Sequence, residues 1–214
     1  EAGGGWIVTL VGAYGRDRTR YHTTFSPSGS ASTVTSGCYC NDATSAEVNA
    51  AGSLFMLAGG PARLAIGGGY RDNGMAFSRH VGGSLAQAFD VSRHSFYGFG
   101  EVFLPFIADE TGIAGISRLS LSAAMRYEDY PGMARVATPR LGLIYAPLRD
   151  VTFKASWARS FKAPTLYQQY VGYQAYLLPA AAFGAGNGSQ TVLYTSGGNP
   201  DLKPERARSW TAGF

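Results

Sequence analysis

The sequence predicts an all-β chain, an antiparallel up-and-down meander of about eight strands that forms part of a transmembrane β-barrel. Three observations predict it. In at least five stretches apolar side chains recur at every second position, the period that sends neighbours to opposite faces of a strand. Charged residues make up 15% of the 214, against about 25% in an average soluble domain, while Gly (29), Tyr (13) and Phe (12) are abundant. No stretch reaches the roughly 18 consecutive apolar residues of a membrane helix, which excludes a helical membrane protein. A barrel escapes that exclusion, because only every second residue of its strands meets lipid. Hydrophobic residues at 45% also argue against intrinsic disorder.

Each strand has its own support. The first, Trp6 to Phe25, puts Trp6, Val8, Leu10 and Tyr14 on one face with Gly12 between them. Glu47 to Leu57 is the second. In Ala62 to Phe77, Leu64, Ile66, Gly68 and Tyr70 oppose Arg63, Ala65, Gly67, Gly69 and Arg71. His94 to Ile107 follows. Gly115 to Tyr130 has the cleanest split, with Leu119, Leu121, Ala123, Met125 and Tyr127 opposite Ser120, Ser122, Ala124, Arg126 and Glu128. Val136 to Pro147 alternates Leu141, Leu143 and Tyr145 with Arg140, Gly142 and Ile144. Val151 to Phe161 alternates Val151, Phe153, Ala155 and Trp157 with Thr152, Lys154 and Ser156. Arg206 to Phe214 is the last. Helical periodicity is nearly absent, and the Ala-rich Pro179 to Ala185 is the one short exception.

The connections are expected to alternate in length. Ser26 to Ala46, Ser78 to Arg93 and Lys162 to Glu205 are long, whereas Ala58 to Pro61, Ala108 to Ala114 and Leu148 to Asp150 are short. A meander with tight turns at one end and elaborate loops at the other has the asymmetry of outer-membrane barrels. The apolar face carries Tyr70, Tyr127, Tyr145 and Trp157 near strand ends, as an interfacial aromatic girdle does. Glu101, Arg126 and Lys154 fall on the opposite, small-residue face and are the candidate lumen-facing charges, expected to pair with one another or with a partner inside the barrel. A soluble β-barrel or β-sandwich that binds an apolar ligand is the competing reading of the same alternation.

Catalytic and metal-binding signatures are scarce. His22, His80 and His94 are isolated in sequence, and no His-Glu-x-x-His, paired Cys-x-x-Cys, Walker loop or nucleophile elbow occurs. Gly67, Gly68 and Gly69 sit inside a strand pattern, where glycine marks curvature or close approach. Adjacent carboxylates, Asp109 with Glu110 and Glu128 with Asp129, point to opposite faces of a strand and cannot form a dyad. A β-rich hydrolase would need convergent carboxylates that this spacing does not supply. Cys38 and Cys40 are read as a loop disulfide, with a soft-metal pair or two unrelated thiols as alternatives. Asn187, Gly188 and Ser189 match a three-residue glycosylation pattern of little weight. The basic excess of 18 Lys and Arg over 14 Asp and Glu is small and dispersed, so no nucleic acid partner is expected. No cofactor, metal or enzymatic activity is expected either.

Near the end of the chain Asn199, Pro200, Leu202, Lys203, Pro204 and Glu205, followed by RARSWTAGF, resemble the NPxLKPE segment of TonB-dependent outer-membrane receptors. Trp157 to Leu166 (WARSFKAPTL), Arg126 to Tyr130 (RYEDY), Pro139 to Pro147 (PRLGLIYAP) and the hairpin over Glu47 to Arg71 are similar to segments of that family in the same order. The physical role read for the Asn199 to Glu205 segment is architectural, since its prolines fix the approach to the next strand.

The resemblance implies active import across the bacterial outer membrane. Such receptors bind a scarce nutrient (an iron-siderophore, a cobalamin or an oligosaccharide) at their outer loops, and the TonB complex acts through a plug that fills the barrel. That plug lies outside this chain. A barrel of 22 strands at about 9–11 residues each needs roughly 200 to 240 residues for strands alone. Residues 1–214 are therefore expected to be a partial barrel domain of a larger receptor, with Glu1 and Phe214 both interior to it. The rival expectation is a complete small barrel ending on the aromatic Phe214. As a piece, the chain leaves two open sheet edges, expected to close on each other or to join further copies.

Overall fold

The computed structural model describes residues 5–26, 31–108, 113–186 and 190–214. The Asp109–Glu110 pair and the Asn187–Ser189 pattern lie outside them. Among the described residues one antiparallel sheet of eight strands follows chain order: β1 (Ile7–Phe25), β2 (Thr33–Leu57), β3 (Gly60–Val81), β4 (Ser84–Ile107), β5 (Arg118–Tyr130), β6 (Ala134–Leu148), β7 (Val151–Lys162) and β10 (Glu205–Gly213). Between β7 and β10 lie helix α1 (Leu166–Tyr170), the hairpin β8 (Gln174–Pro179) and β9 (Thr191–Ser196), and a short 3-10 helix at Ala180–Phe183. The last occupies the Ala-rich stretch, and α1 is an element that the strand-only reading lacks. β1 and β10 do not pair, so the eight strands do not close into a small complete barrel.

Two expected long loops turn out to be strand. β2 begins at Thr33 instead of Glu47, and β3 and β4 run on to a turn at Gly82 and Gly83. The polar residues of Ser26–Ala46 and Ser78–Arg93 suggest loops, yet strands that stand above an apolar band have water on their outer side and carry polar side chains without penalty. Backbone pairing continues regardless of those side chains, from Tyr39↔Phe77 to Phe77↔Phe89. The asymmetry between the two ends therefore resides in strand length. β1 to β4 project beyond the turn joining β5 to β6, and only the β7–β10 connection is a long excursion.

The faces separate as the alternation requires. Met125, Leu141, Leu143, Phe153 and Trp210 share the outer face, and Leu10 there is 80% exposed. Arg126 and Glu128 are on the inner face, which is the face that α1 packs against. The hydrophobic core is correspondingly small and lies only on that side. Met75, Phe77 and Leu166 form it, with Tyr39, Phe89, Val91 and Tyr167 around them. No other layer covers the outer face among the described residues.

Replacing Met125 with Arg puts a cation on the outer face, and replacing its neighbour Ala124 puts one on the inner face. In bilayers, Met125→Arg is expected to lower folding stability by about 2–4 kcal/mol and Ala124→Arg to change it little. Urea titration of refolded protein in liposomes measures both, and equal losses would mean that the two faces see the same solvent.

Candidate binding site at the mouth of the barrel

The projecting parts of β1 to β4 line up aromatic rings on the inner face because the antiparallel register puts Tyr39, Phe77 and Phe89 directly across from one another. Their centroids are 5.1 Å (Tyr39–Phe77) and 5.4 Å (Phe77–Phe89) apart, within the range of attractive aromatic pairs. Tyr21 joins at 5.4 Å from Tyr39. It lies across Gly37, where a β-carbon would come within 2.7 Å of its hydroxyl. Glycine is thus required for this packing.

The long connection completes the cluster. Pro164 leads into Thr165, which caps α1 in a capping box: its side chain accepts from the Gln168 amide, and Gln168 Oε1 accepts in return from the Thr165 amide. The helix sets Tyr167 against Tyr39 at 5.7 Å and edge-on to Phe77 at 5.3 Å. Burial, then hydrogen bonding with Tyr39, pushes the Tyr167 phenol above its ordinary pKa.

Arg93 of β4 ties this connection down. Its Nη1 donates to the Pro164 carbonyl at 2.8 Å and to Gln169 Oε1 at 3.0 Å. The buried Gln169 in turn donates to the Pro200 carbonyl at 3.0 Å. One barrel arginine thereby reaches the start of the excursion directly and its end through one glutamine. Arg79 donates to Gln174, which donates to Gln87, adding a second tie at the start of β8. Beside α1 a cleft of about 470 Å³ opens, lined by Asp17, Asn41, Asn73, Met75, Arg93 and Leu166 among others.

Below the aromatic tier lies a polar one. Tyr97 donates to Glu47 at 2.8 Å, and the Arg126 guanidinium sits 4.1 Å above the Tyr97 ring. Arg126 Nε donates to Glu128 at 2.5 Å, and the other oxygen of that buried carboxylate accepts from Tyr130 at 2.6 Å. Arg93 lies 5.5 Å over the Tyr130 ring, which links the two tiers. Tyr97 fits because Gly69 faces it, where a β-carbon would meet the Tyr97 hydroxyl at 2.7 Å. That is the close approach expected of the glycine run.

The three candidate lumen charges share the inner face without sharing a cluster. Arg126 is in the polar tier, paired with Glu128. Glu101 stands opposite Ala124 and Ala65, and Lys154 opposite Ile144; both are exposed. The ion pairs among the described residues are Arg126–Glu128 and Arg135–Asp129, so Glu101, Arg126 and Lys154 do not pair with one another, which leaves the other expected arrangement, a partner inside the barrel. Lengthwise distance along the strands keeps the three apart. Glu128 and Asp129 point to opposite faces, each with its own arginine. Asn199 accepts through its side chain from the Asp201 amide and donates its own amide to the Gln168 carbonyl. Leu202 closes a turn back to Asn199; Lys203 and Pro204 follow, and Glu205 opens β10 opposite Lys162. Cys38 and Cys40 form a disulfide on the outer face of β2, within a strand and not a loop.

The sequence reading missed Tyr21, Tyr39, Phe77, Phe89, Arg93, Tyr167 and Gln169 as site residues. The alternation Phe89, Val91, Arg93 was a usable signal for one wall. Nothing in sequence spacing tells that Tyr167 and Gln169 return to it. Among the described residues no group of three or more His, Cys, Asp or Glu could hold a metal ion. The arrangement offers aromatic faces, amides and guanidinium donors, the equipment of a binding site.

No match to a curated protein was found. A sequence profile described as "TonB dependent receptor-like, beta-barrel" matches residues 1–214, the whole chain. With its eight-stranded meander and its inward ionic face, the chain belongs to the β-barrel family of TonB-dependent receptors, which are receptors of the bacterial outer membrane.

Proposed function

We propose that this chain forms part of the wall and mouth of a receptor that imports a scarce nutrient (an iron-siderophore, a cobalamin or an oligosaccharide) across the outer membrane with energy from the TonB complex. The observation that supports this reading most is the inner-face aromatic cluster, built jointly by β1 to β4 and by Tyr167 of the long connection, with a cleft beside it. Stacked rings present flat apolar faces to a ligand, while Asp17, Asn41, Asn73 and Arg93 supply acceptors and donors for its oxygens. Arg126 and Glu128 deeper in the lumen, together with Glu101 and Lys154, face the position of a plug supplied by the rest of the receptor. The segment from Asn199 to Glu205 returns the connection to β10. The free edges of β1 and β10 pair with further strands, of a longer chain or of another copy.

Binding of a ferric siderophore, cyanocobalamin or a maltodextrin to the full-length protein tests the reading. Saturable binding of one class is expected, lost by about tenfold or more in Phe77→Ala, where three ring contacts disappear. Absence of binding to all three classes would remove the import assignment. Phe77→Ala is also expected to destabilise docking of the 163–204 connection by about 3–5 kcal/mol, measured by its cleavage rate in limited proteolysis.

Titration of Tyr167 adds a pH dependence. Its raised pKa means that the undocked phenol ionises first, so docking is at full strength below the ordinary tyrosine range and weakens as pH climbs through it and on to the raised value. Tyr167→Phe is expected to flatten that dependence in the same proteolysis assay. The 214-residue chain alone, in detergent, is expected to run on size-exclusion chromatography as an assembly larger than one copy or as a monomer whose edge-strand amides are protected from hydrogen exchange, and a stable monomer with both edge strands unprotected would contradict edge pairing.

A further inference from the structure

On the outer wall, at the edge opposite β1, three arginines gather, none of them in an ion pair among the described residues. Arg159 of β7 stands directly across from Arg208 of β10, and Arg206 is two residues along the same face. Like charges set directly opposite each other destabilise a strand pair unless something lies between them. Neither of the two ion pairs found among the described residues involves these arginines, and Glu205 faces the other way, opposite Lys162. The β6–β7 ladder stops at Arg140↔Ala158, next to Pro139, which has no N–H to offer. Above that point a cleft of about 190 Å³ opens between the strands, lined on the outer face by Arg159, Arg206 and Arg208 and from the inner face by Thr138 and Ser160.

Directly below, on the same outer face, Trp157 and Trp210 pair at 6.0 Å, and the Arg159 guanidinium sits 5.5 Å over the Trp157 ring. An apolar groove of about 540 Å³ continues downward over Leu121, Leu141, Leu143 and Ala155. A cationic cleft, an aromatic step and a greasy groove therefore follow one another along one face. That order reproduces the profile of a lipid with an anionic head, and the guanidinium fork matches phosphate oxygens.

We propose that Arg159, Arg206 and Arg208 bind the phosphate of a phosphorylated lipid whose acyl chains lie in the Leu121–Leu141–Leu143 groove under Trp157 and Trp210. The site is a headgroup-selective one on the outside of the wall, separate from the nutrient site inside, and it rests on the membrane-barrel reading. The phosphate also supplies the charge that the Arg159–Arg208 pair lacks, so the bound lipid holds β7 and β10 together where the β6 ladder has ended.

Quenching of tryptophan fluorescence by lipids with brominated acyl chains tests the proposal, using the full-length protein in vesicles and a Trp6→Phe background. Brominated phosphatidic acid is expected to quench more strongly than brominated phosphatidylcholine, with the preference falling about fivefold for each arginine removed in Arg159→Gln and Arg208→Gln. Arg149→Gln, at the opposite end of the wall, is expected to keep it. If the double variant does not refold, the two single variants carry the comparison. Equal quenching by the two lipids, or an undiminished preference in the variants, would overturn the proposal while leaving the barrel intact. Loss of the preference in excess inorganic phosphate would reassign the cleft to a free ion and overturn the lipid site. No quenching by either lipid would overturn the membrane reading and this proposal with it.

Discussion

Among the described residues nothing covers the outer face of the sheet, and that constraint organises the rest. Leucines, methionine and aromatics stand there largely exposed, with Trp210 at 77% and Met125 at 49%. In water so continuous an apolar surface would recruit a partner or aggregate. In hydrocarbon it is stable only if the backbone satisfies its own N–H and C=O groups, because no solvent is there to do so. An antiparallel meander with tight links at one end meets both demands, since every interior strand is paired on both sides. Its two outer strands, β1 and β10, are the exception, each paired on one side only.

Freedom from lipid on the inner face permits a different chemistry. Gly37 and Gly69 withdraw side chains so that Tyr21 and Tyr97 can lie against the wall, and the Arg126 guanidinium sits over the Tyr97 ring. Buried Glu128 is tolerable because Arg126 and Tyr130 each donate to one of its oxygens, which offsets the cost of removing a carboxylate from water. The small core is likewise an inner-face feature, made where a loop returns to the wall and not between two layers of a globule. Arg93 connects these parts. It stacks over Tyr130 of the polar tier while holding the connection that carries Tyr167. The polar tier and the position of the long connection are thus joined through one side chain.

Period-two alternation made the all-β meander, the strand order and the facing of Leu121, Met125, Arg126 and Lys154 legible in the sequence, because a strand writes its two environments into successive residues. The same rule failed above the apolar band. There both faces of β1 to β4 meet water or a polar lumen, so Ser26 to Ala46 and Ser78 to Arg93 lack the contrast on which the reading depends, and strand looks like loop. The NPxLKPE-like segment identified the family without disclosing its contacts.

Local sequence thus determined which residues face outward, which is settled by neighbours one or two positions apart, and which barrel family the chain enters, which is settled by short contiguous segments such as Asn199 to Glu205. Tertiary structure alone decided that Tyr167 meets Phe77, that Arg93 meets Pro164 and Gln169, and that Arg126 meets Glu128 instead of Glu101 or Lys154. The first two contacts bridge tens of residues and depend on how a long connection folds back. The third depends on where along its strand each charge stops, and alternation, which reports only the side a residue is on, carries no information about that height.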